Sequence, residues 1–367
     1  MRLSIERAAL LKALGHVQNV VERRNTIPIL SNVLMSAEGD QVTLVATDLD
    51  IEISEGTGAE VGAPGQITAP AHTLYDIARK LPDGSQVTLQ INAEDRLDVD
   101  AGRSHFTLPL LPSGDFPKMT ADGFTHNFVL GAKELSRLID KTRFAISTEE
   151  TRYYLNGIYL HAHDGLLRAV ATDGHRLALA EMPLPAGGEG LPGVIIPRKT
   201  VAEIRRLIDG GDANVAISVS EAKIRFNYGS AVLTSKLIDG TFPDYERVIP
   251  KGNEKELTID NKVFADAVDR VATISAEKSR SIKIGLSQDS LSLTVNNPES
   301  GNAHEDLMVD YGADPLEIGF NAKYLLDVAN QIEGRDATFF LDSPASPALV
   351  RDSEDANALF VLMPLRV

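Results

Sequence analysis

Residues 170–179, VATDGHRLAL, decide the fold of this chain, because their central tripeptide occurs twice. Ala-Thr-Asp stands at 171–173 and again at 46–48, which is 125 residues earlier, and a paired Asn lies at 296–297. Each copy follows a turn, at residues 38–40, 164–165 and 288–290, that is flanked by alternating apolar residues. Alternation around such turn residues is typical of β-hairpins. Recurrence at a fixed period therefore predicts three copies of one structural unit.

The starts of the three units follow the same pattern. LSIERAALLKALGHV, VLGAKELSRLIDKT and LTIDNKVFADAVDRV each predict a short strand and then a helix. Their apolar residues recur at i, i+4 and i+7, which places them on one helical face. The positions concerned are Leu10, Leu14 and Val17, then Leu135, Ile139 and Thr142, then Phe264, Val268 and Val271.

A second helix is predicted in each unit, with starts at Pro70, Pro197 and Asn321. Proline is favoured in the first helical turn, because a backbone N–H at that position would have no hydrogen-bond acceptor within the helix. Each helix is followed by a glycine-containing stop and an alternating strand, and Phe-Pro recurs at 116–117 and 242–243. The predicted fold class is α+β: three repeated domains, 1–122, 123–252 and 253–367, each with two helices packed on antiparallel sheets.

Composition excludes several classes of protein. The 367 residues are 43% hydrophobic and 24% charged, which is ordinary for a globular protein. The chain has no cysteine, which excludes disulfides, zinc–thiolate sites and thiol catalysis. No run approaches the roughly 20 apolar residues of a membrane span, and the first residues lack the apolar core of a signal peptide. We expect a cytoplasmic protein with no cofactor.

Charge is distributed unevenly along the chain. The formal net charge is -16, yet the six predicted helices (6–22, 70–81, 131–147, 197–208, 260–276 and 321–332) together carry +5. Helices that pack their apolar faces on sheets would present these cations on one side. Phosphate binding depends on local Lys and Arg, so a mildly positive surface suits loose contact with DNA.

Four motifs and the threefold repeat carry a family resemblance over the whole chain. YYLNGIYL, ATDGHRLALA, SKLIDGTFPDYERVIP and VLMPLRV, with the repeat, closely resemble the bacterial DNA polymerase III beta subunits, the sliding clamps. The resemblance implies a head-to-tail homodimer ring of six domains around duplex DNA. It also implies a non-catalytic processivity factor that tethers the replicative polymerase alpha subunit, the clamp loader and other repair and replication proteins through a short linear motif.

The resemblance assigns a partner-peptide pocket between the second and third domains. Leucine, valine, methionine and proline would form an apolar slot, and a few polar groups would orient an extended peptide. The implied residues are Leu155, Thr172, Gly174, His175, Arg176, Leu177, Pro243, Arg247, Val248, Ser346, Val361, Met363, Pro364, Leu365 and Arg366.

DNA contacts and the subunit interface are placed less sharply by the resemblance. The DNA-binding candidates are Arg24, Lys141, Tyr153, Tyr154, Arg198, Lys199 and Arg205. For each cation the alternative is a solvated side chain, and for the two tyrosines it is a place in the core. The interface candidates are Phe106, Leu108 and Ile274, whereas Thr273 stands where the family commonly has a larger apolar residue.

Two other classes of function compete with the clamp. A hydrolase would use Asp173 and His175, but no serine in a nucleophile elbow accompanies them and no metal-binding spacing such as H-x-x-x-H appears among the eight histidines. An Asp-Gly pair between apolar residues is more often a turn. A scaffold whose charge pattern has no role is the third interpretation.

Overall fold

The computed structural model describes residues 1–23, 26–120, 123–275 and 280–366. Among these residues, six α-helices lie within the six predicted ranges. They are α1 (Arg7–Val17), α2 (Ala71–Lys80), α3 (Ala132–Thr142), α4 (Arg198–Leu207), α5 (Asn261–Ala272) and α6 (Ala322–Ala329).

The helix ends differ from prediction for local reasons. The predicted start residues Pro70 and Pro197 are instead the last residues of strands, so the helices begin one position later. Asn321 likewise caps α6, where its side chain accepts a hydrogen bond of 2.9 Å from the backbone N–H of Lys323. The first helix stops at Val17, not at residue 22, because the backbone tightens into i→i+3 hydrogen bonds after it.

The strands come in two groups, one in each of two compact units. The first unit comprises 1–134, 185–188 and 199–237, and the second comprises 135–184, 189–198 and 238–367. Strands of the first unit are β1 (Arg2–Glu6), β2 (Asn32–Glu38), β3 (Gln41–Thr47), β4 (Ile51–Gly58), β5 (Glu60–Ala63), β6 (Gly65–Pro70), β7 (Gln86–Ile91), β8 (Leu97–Ala101), β9 (Ser104–Leu108), β10 (His126–Gly131), β15 (Asn214–Val219), β16 (Lys223–Tyr228) and β17 (Ala231–Lys236).

Strands of the second unit complete the numbering. They are β11 (Gly157–His163), β12 (Leu166–Thr172), β13 (Arg176–Pro183), β14 (Val194–Pro197), β18 (Lys255–Asp260), β19 (Ser281–Ser287), β20 (Ser290–Asn297), β21 (Gly301–Met308), β22 (Asp310–Tyr311), β23 (Leu316–Asn321), β24 (Asp336–Leu341), β25 (Ala348–Asp352) and β26 (Ala358–Leu362).

Each unit contains two sheets, and the strand pairings that the structure defines in them are antiparallel. The first unit has a five-stranded sheet, β5-β1-β7-β8-β9, and an eight-stranded sheet, β10-β15-β16-β17-β4-β3-β2-β6. The second has a nine-stranded sheet, β14-β11-β12-β13-β26-β25-β24-β18-β22, and a four-stranded sheet, β21-β20-β19-β23. The predicted α+β class with helices on antiparallel sheets is confirmed.

The units cut the chain differently from the predicted boundaries at 122 and 252. Two strand pairs cause this difference. In the first unit β17 pairs with β4, and in the second β13 pairs with β26. Residues of the predicted central domain therefore supply strands to both units, because each of these pairs extends one sheet across a predicted boundary.

The predicted turns and apolar faces are present. Gly39, Asp164, Gly165 and Asp289 have positive φ between neighbouring strands, as tight hairpin turns require. The nine positions predicted to form three helical faces are all buried. In the first unit α1 packs on β3 and β4 and against α2, and in the second α5 packs on β20 and against α6.

Candidate functional site

The turn at 173–175 lies in the second unit, between β12 and β13. The Asp173 Oδ1 atom accepts the backbone N–H groups of His175 (2.9 Å) and Arg176 (3.0 Å), an Asx-type turn. Gly174 adopts φ +87°, and a Cβ atom there would lie 2.4 Å from Nη1 of Arg152. Glycine at 174 thus serves both the left-handed backbone and a close approach.

Arg176 is a buried anchor for this turn. Its Nε donates to Asp173 Oδ2 (3.1 Å), Nη1 donates to Asp327 on α6, and Nη2 donates to the Phe144 carbonyl (2.6 Å). The guanidinium also lies 4.4 Å from the ring centroid of Tyr324. Because its donors are used inside the protein, Arg176 positions the turn and does not offer a free charge.

The C-terminal strand forms the neighbouring wall. Leu177 on β13 is opposite Val361 on β26, and both are buried. Beyond β26, the Met363 N–H donates to the His175 carbonyl (2.9 Å), and the Leu365 N–H donates to the Gly319 carbonyl (2.8 Å). The segment after Leu362 is thus held by few backbone hydrogen bonds.

An apolar cluster forms the floor between these walls. Leu155, Leu177 and Val361 from the predicted set belong to it, and Tyr154 packs against it. Further buried members are Val170, Leu179, Ile195, Phe242, Tyr245 and Leu349. The side chains reach it from β12, β13, β14, β25, β26 and the 3-10 helices at Glu150–Leu155 and Tyr245–Val248.

Several predicted residues form an exposed apolar rim beside this floor. Val248 is 46% exposed and Met363 is 39% exposed, and Pro243, next to the buried Phe242, is also exposed. Exposed apolar side chains beside a buried apolar floor are typical of a surface that binds another molecule. We call the floor and rim together the peptide groove, defined by Leu155, Leu177, Val361, Pro243, Val248 and Met363.

The polar members of the predicted set have different surroundings. The Thr172 hydroxyl accepts from the Gly174 N–H (3.1 Å) and donates to the Arg176 carbonyl (2.7 Å), so it stabilises the turn. Arg247 is exposed and pairs with Asp244 at 2.7 Å. The Ser346 hydroxyl donates to Asp342 (2.8 Å). His175 and Arg366 are exposed, and Pro364 and Leu365 are partly exposed.

Sequence reasoning missed a ring stack at one end of the floor. Tyr159 stacks between Phe242 (centroids 4.8 Å apart) and His161 (4.7 Å). The His161 Nε2 atom lies 2.9 Å from the Tyr245 hydroxyl, which also accepts from Arg168 (3.4 Å). Burial lowers the pKa of His161. The repeated Phe-Pro pair was the signal that pointed to Phe242.

The carboxylate of Asp173 is engaged within its own turn. Both oxygens of Asp173 accept hydrogen bonds from the turn or from Arg176. The His175 ring lies beside Tyr324 (centroids 6.3 Å apart). Across the part of the chain that is described, no group of three or more His, Asp or Glu could hold a metal ion. Asp173 therefore stabilises the turn, and among the described residues its carboxylate forms no hydrogen bond with the His175 ring.

The candidate DNA-binding cations are more engaged than the sequence suggests. Lys141 is buried in the second unit, where its ammonium donates to the Gln331 carbonyl and pairs with Glu333 (2.8 Å). In the first unit, Lys199 pairs with Asp48 and with Glu22 (3.4 Å). Arg205 pairs with Asp209 at 2.8 Å, and Arg198 is exposed. Helical cations in each unit are therefore partly neutralised by carboxylates of the same unit.

The remaining DNA-binding candidates are two tyrosines, which differ in exposure, and one arginine. Tyr153 is 53% exposed and therefore is not a core aromatic, whereas Tyr154 is partly buried and touches it edge-on (centroids 5.8 Å apart). Arg24 lies outside the described residues.

The interface candidates lie near exposed sheet edges. Phe106 (37% exposed) and Leu108 are on β9, an edge strand of the five-stranded sheet. In the second unit, β21 is an edge strand of the four-stranded sheet, and the nearby Ile274 is partly buried. Thr273 is exposed, and its hydroxyl donates to the Asp269 carbonyl of its own helix (3.3 Å).

No helix within the described residues is long and apolar enough to cross a membrane.

Comparison with known proteins places the whole chain in one family. Residues 1–120, 129–244 and 246–366 match the N-terminal, central and C-terminal domains of the DNA polymerase III beta subunit. The beta sliding clamps of Caulobacter vibrioides (strain NA1000 / CB15N) and Escherichia coli (strain K12) are 62% and 38% identical, with 100% of each chain covered.

Solved structures agree with this assignment. The Caulobacter crescentus clamp, with polyethylene glycol bound to its putative beta-motif tethering region, superimposes with a TM-score of 0.96 at 62% identity. The Bartonella birtlesii clamp bound to griselimycin superimposes with a TM-score of 0.98 at 52% identity. Both alignments cover 100% of each chain. The chain belongs to the DNA polymerase III beta subunits, the bacterial sliding clamps.

Proposed function

We propose that this chain, as a member of a non-catalytic clamp family, closes into a head-to-tail homodimer ring around duplex DNA. In that ring it tethers the replicative polymerase, the clamp loader and other replication and repair proteins by a short peptide motif. The peptide groove is the observation that carries the tethering role. Its apolar floor is buried, while Val248 and Met363 leave apolar surface exposed to a ligand.

The groove suits an extended peptide with apolar anchors. Anchors would contact the floor at Leu155, Leu177 and Val361, and the loosely held segment after Leu362 would adjust to admit them. Burial of apolar area contributes about 25 cal/mol per Å², so two or three anchor side chains supply most of the binding energy. Exposed polar groups such as His175, Arg247 and Arg366 would then orient the peptide.

DNA would be held by enclosure and only weakly by contact. Exposed Arg198 and Tyr153 are the candidates best placed to reach phosphates, whereas buried Lys141 would first have to leave its partners. Among the described DNA-binding candidates few cations are unpaired, which predicts a shallow dependence of DNA retention on salt, as a sliding protein requires.

Two exposed edges suit the subunit interface. We place Phe106 on β9 of one subunit against the Ile274 region and the β21 edge of the next. A cleft of about 290 Å³ in that region is lined by Asp269, Ala272, Thr273, Ser275, Arg280, Ala322, Lys323 and Leu326, so it combines apolar and charged side chains. Such a contact is heterologous and forms a closed dimer only when the rotation between subunits permits it.

The test is primer extension by the replicative polymerase on a primed circular template with clamp loader. Val248→Asp and Met363→Asp should abolish the lengthening of products, because a carboxylate in the groove must be desolvated when the peptide binds. Val129→Asp, at a valine that is 49% exposed in the first unit, is the matched control. Full-length products from both groove variants would contradict the tethering role.

A further inference from the structure

A second turn in the chain repeats the geometry of the turn at 173–175. The Asp48 Oδ1 atom accepts the backbone N–H groups of Asp50 (2.9 Å) and Ile51 (2.8 Å), as Asp173 does for His175 and Arg176. The Leu49 N–H donates to the Thr47 hydroxyl (3.0 Å), as the Gly174 N–H does to Thr172 (3.1 Å). The two turns therefore share three hydrogen bonds.

The backbone of this second turn is strained. Leu49 has φ +81°, close to the +87° of Gly174, although a leucine pays a steric cost in this region that glycine does not. Its side chain is 42% exposed, so burial of the side chain does not compensate for the strain. Strained residues of this kind concentrate at ligand-binding positions.

The chain segment beside each turn also forms the same backbone hydrogen bond. The Lys236 N–H donates to the Asp50 carbonyl (2.9 Å), just as the Met363 N–H donates to the His175 carbonyl (2.9 Å). Lys236 thus takes the position that Met363 has in the peptide groove. Pro117 follows the buried Phe116, as Pro243 follows the buried Phe242.

A cleft of about 200 Å³ in the first unit joins these residues. We call it the lysine cleft, and it is lined by Thr47, Leu49, Pro117, Lys118, Met119, Thr120, Lys223 and Lys236. Its chemistry differs from that of the peptide groove in two positions. Glu52 and Thr234 stand where the groove has Leu177 and Val361, so a carboxylate and a hydroxyl replace two apolar side chains.

The charge of the cleft favours an anionic ligand. Lys223 donates to the Thr120 carbonyl and hydroxyl, which are neutral, and no carboxylate among the described residues forms an ion pair with it. Lys236 pairs with Asp50 at 3.0 Å, but both side chains are more than half exposed, and such pairs are weak. Lys118 is exposed. Three lysines thus line the cleft, on a chain whose net charge is -16.

We infer that the lysine cleft is a second peptide-binding site, which takes an extended acidic segment of a partner protein with one or two apolar side chains. Carboxylates of the segment pair with Lys118, Lys223 and Lys236, and its apolar side chains contact Leu49, Pro117 and Met119. The inference rests on the proposed function, since the likeness of the two turns suggests that both receive peptides. The partner chemistry comes from the lysines of this cleft.

The probe is a fluorescein-labelled five-residue peptide of alternating glutamate and leucine, measured by fluorescence polarisation with the full-length protein. Lys236→Glu and, separately, Lys223→Glu should each weaken its binding roughly tenfold, because an attraction becomes a repulsion. Lys80→Glu on α2 is the matched control, since Lys80 is exposed and does not line the cleft. Thermal unfolding of each variant shows whether it is folded.

A second probe, the clamp-binding peptide of the replicative polymerase, separates this inference from the proposed function. Met363→Asp should abolish binding of the polymerase peptide and leave the acidic peptide bound. Loss of the acidic peptide in Met363→Asp, or equal binding by Lys236→Glu and Lys80→Glu, would overturn the lysine cleft and leave the groove intact. If the unsubstituted protein binds the acidic peptide but not the polymerase peptide, the peptide groove is overturned and the lysine cleft stands.

Discussion

Single residues define the shape of the peptide groove, and Gly174 shows how. Gly174→Ala introduces a Cβ in the left-handed region and 2.4 Å from Arg152 Nη1. Gly165→Ala is the matched control, because Gly165 has φ +77° with no atom within 4 Å of the added Cβ. Both variants should lose about 1–2 kcal/mol of unfolding free energy.

Affinity for the polymerase peptide distinguishes the two glycine variants. We expect Gly174→Ala alone to weaken peptide binding, because only there must Arg152 and the groove wall move. Titration of both variants with the labelled peptide measures the difference. Equal affinities would show that the wall does not depend on the turn.

The buried His161 makes stability depend on pH. Burial holds its pKa below the ordinary value, so the unfolded chain binds a proton at a higher pH than the folded chain does. Above the pKa of the unfolded chain, about 6.5, His161 is neutral in both states and does not lower the free energy of unfolding. As pH falls below that value, protonation favours the unfolded chain and the free energy of unfolding declines.

His161→Gln should therefore flatten the dependence of unfolding free energy on pH between 7.5 and 5.5, as measured by urea denaturation. The exposed His105 is the contrast, because its hydrogen bond to Asp100 raises its pKa and gives the opposite sign. An unchanged slope in His161→Gln would contradict the assignment of His161 as a buried neutral base.

At the residue scale, the sequence predicted local features but not the ion pairs between distant residues. The repeat predicted the buried helical faces and the turn at 173–175, because periodicity and turn chemistry are local. It could not predict that Lys141 and Lys199 would be neutralised by Glu333 and Asp48, since these partners are distant in sequence. A sum of formal charge therefore overstated the free positive charge of the helices.

At the scale of elements, the C-terminal segment after β26 is a separable part of the groove. Its described backbone hydrogen bonds are those of Met363 and Leu365, whereas β26 itself pairs with β13 and β25. A chain that stops after Leu362 should keep its melting temperature within a few degrees and lose at least tenfold in affinity for the polymerase peptide. Calorimetry and peptide titration check both. A large fall in melting temperature would show that the segment is structural.

The pairing of distant strands is a second feature that the sequence could not predict. Strand positions followed from alternation, but the pairs β4–β17 and β13–β26 join residues about 180 positions apart and leave no local signal. These pairs create both the peptide groove and the lysine cleft. The groove residues were accordingly assigned by resemblance, and its ring stack was missed.

At the scale of the whole molecule, we expect Thr273 to weaken the proposed subunit interface of the ring. Its hydroxyl is satisfied within its own helix, so burial of Thr273 costs little but adds less apolar contact than an aliphatic side chain. Thr273→Val should lower the dimer dissociation constant severalfold, and Thr73→Val, at an exposed threonine of α2, should not.

Sedimentation at decreasing concentration measures this effect, with 39.6 kDa for one chain and about twice that mass for the dimer. A dissociation constant that responds equally to both substitutions would place the interface elsewhere.

Enclosure of DNA is the central claim, and retention on circles tests it most directly. The protein is loaded by the clamp loader onto nicked circular DNA, separated from free protein, and followed after a restriction enzyme cuts the circle. Enclosure predicts that the protein remains on intact circles, even at raised salt, and leaves once a free end exists. Equal retention on cut and intact DNA, or loss from both as salt rises, would contradict it.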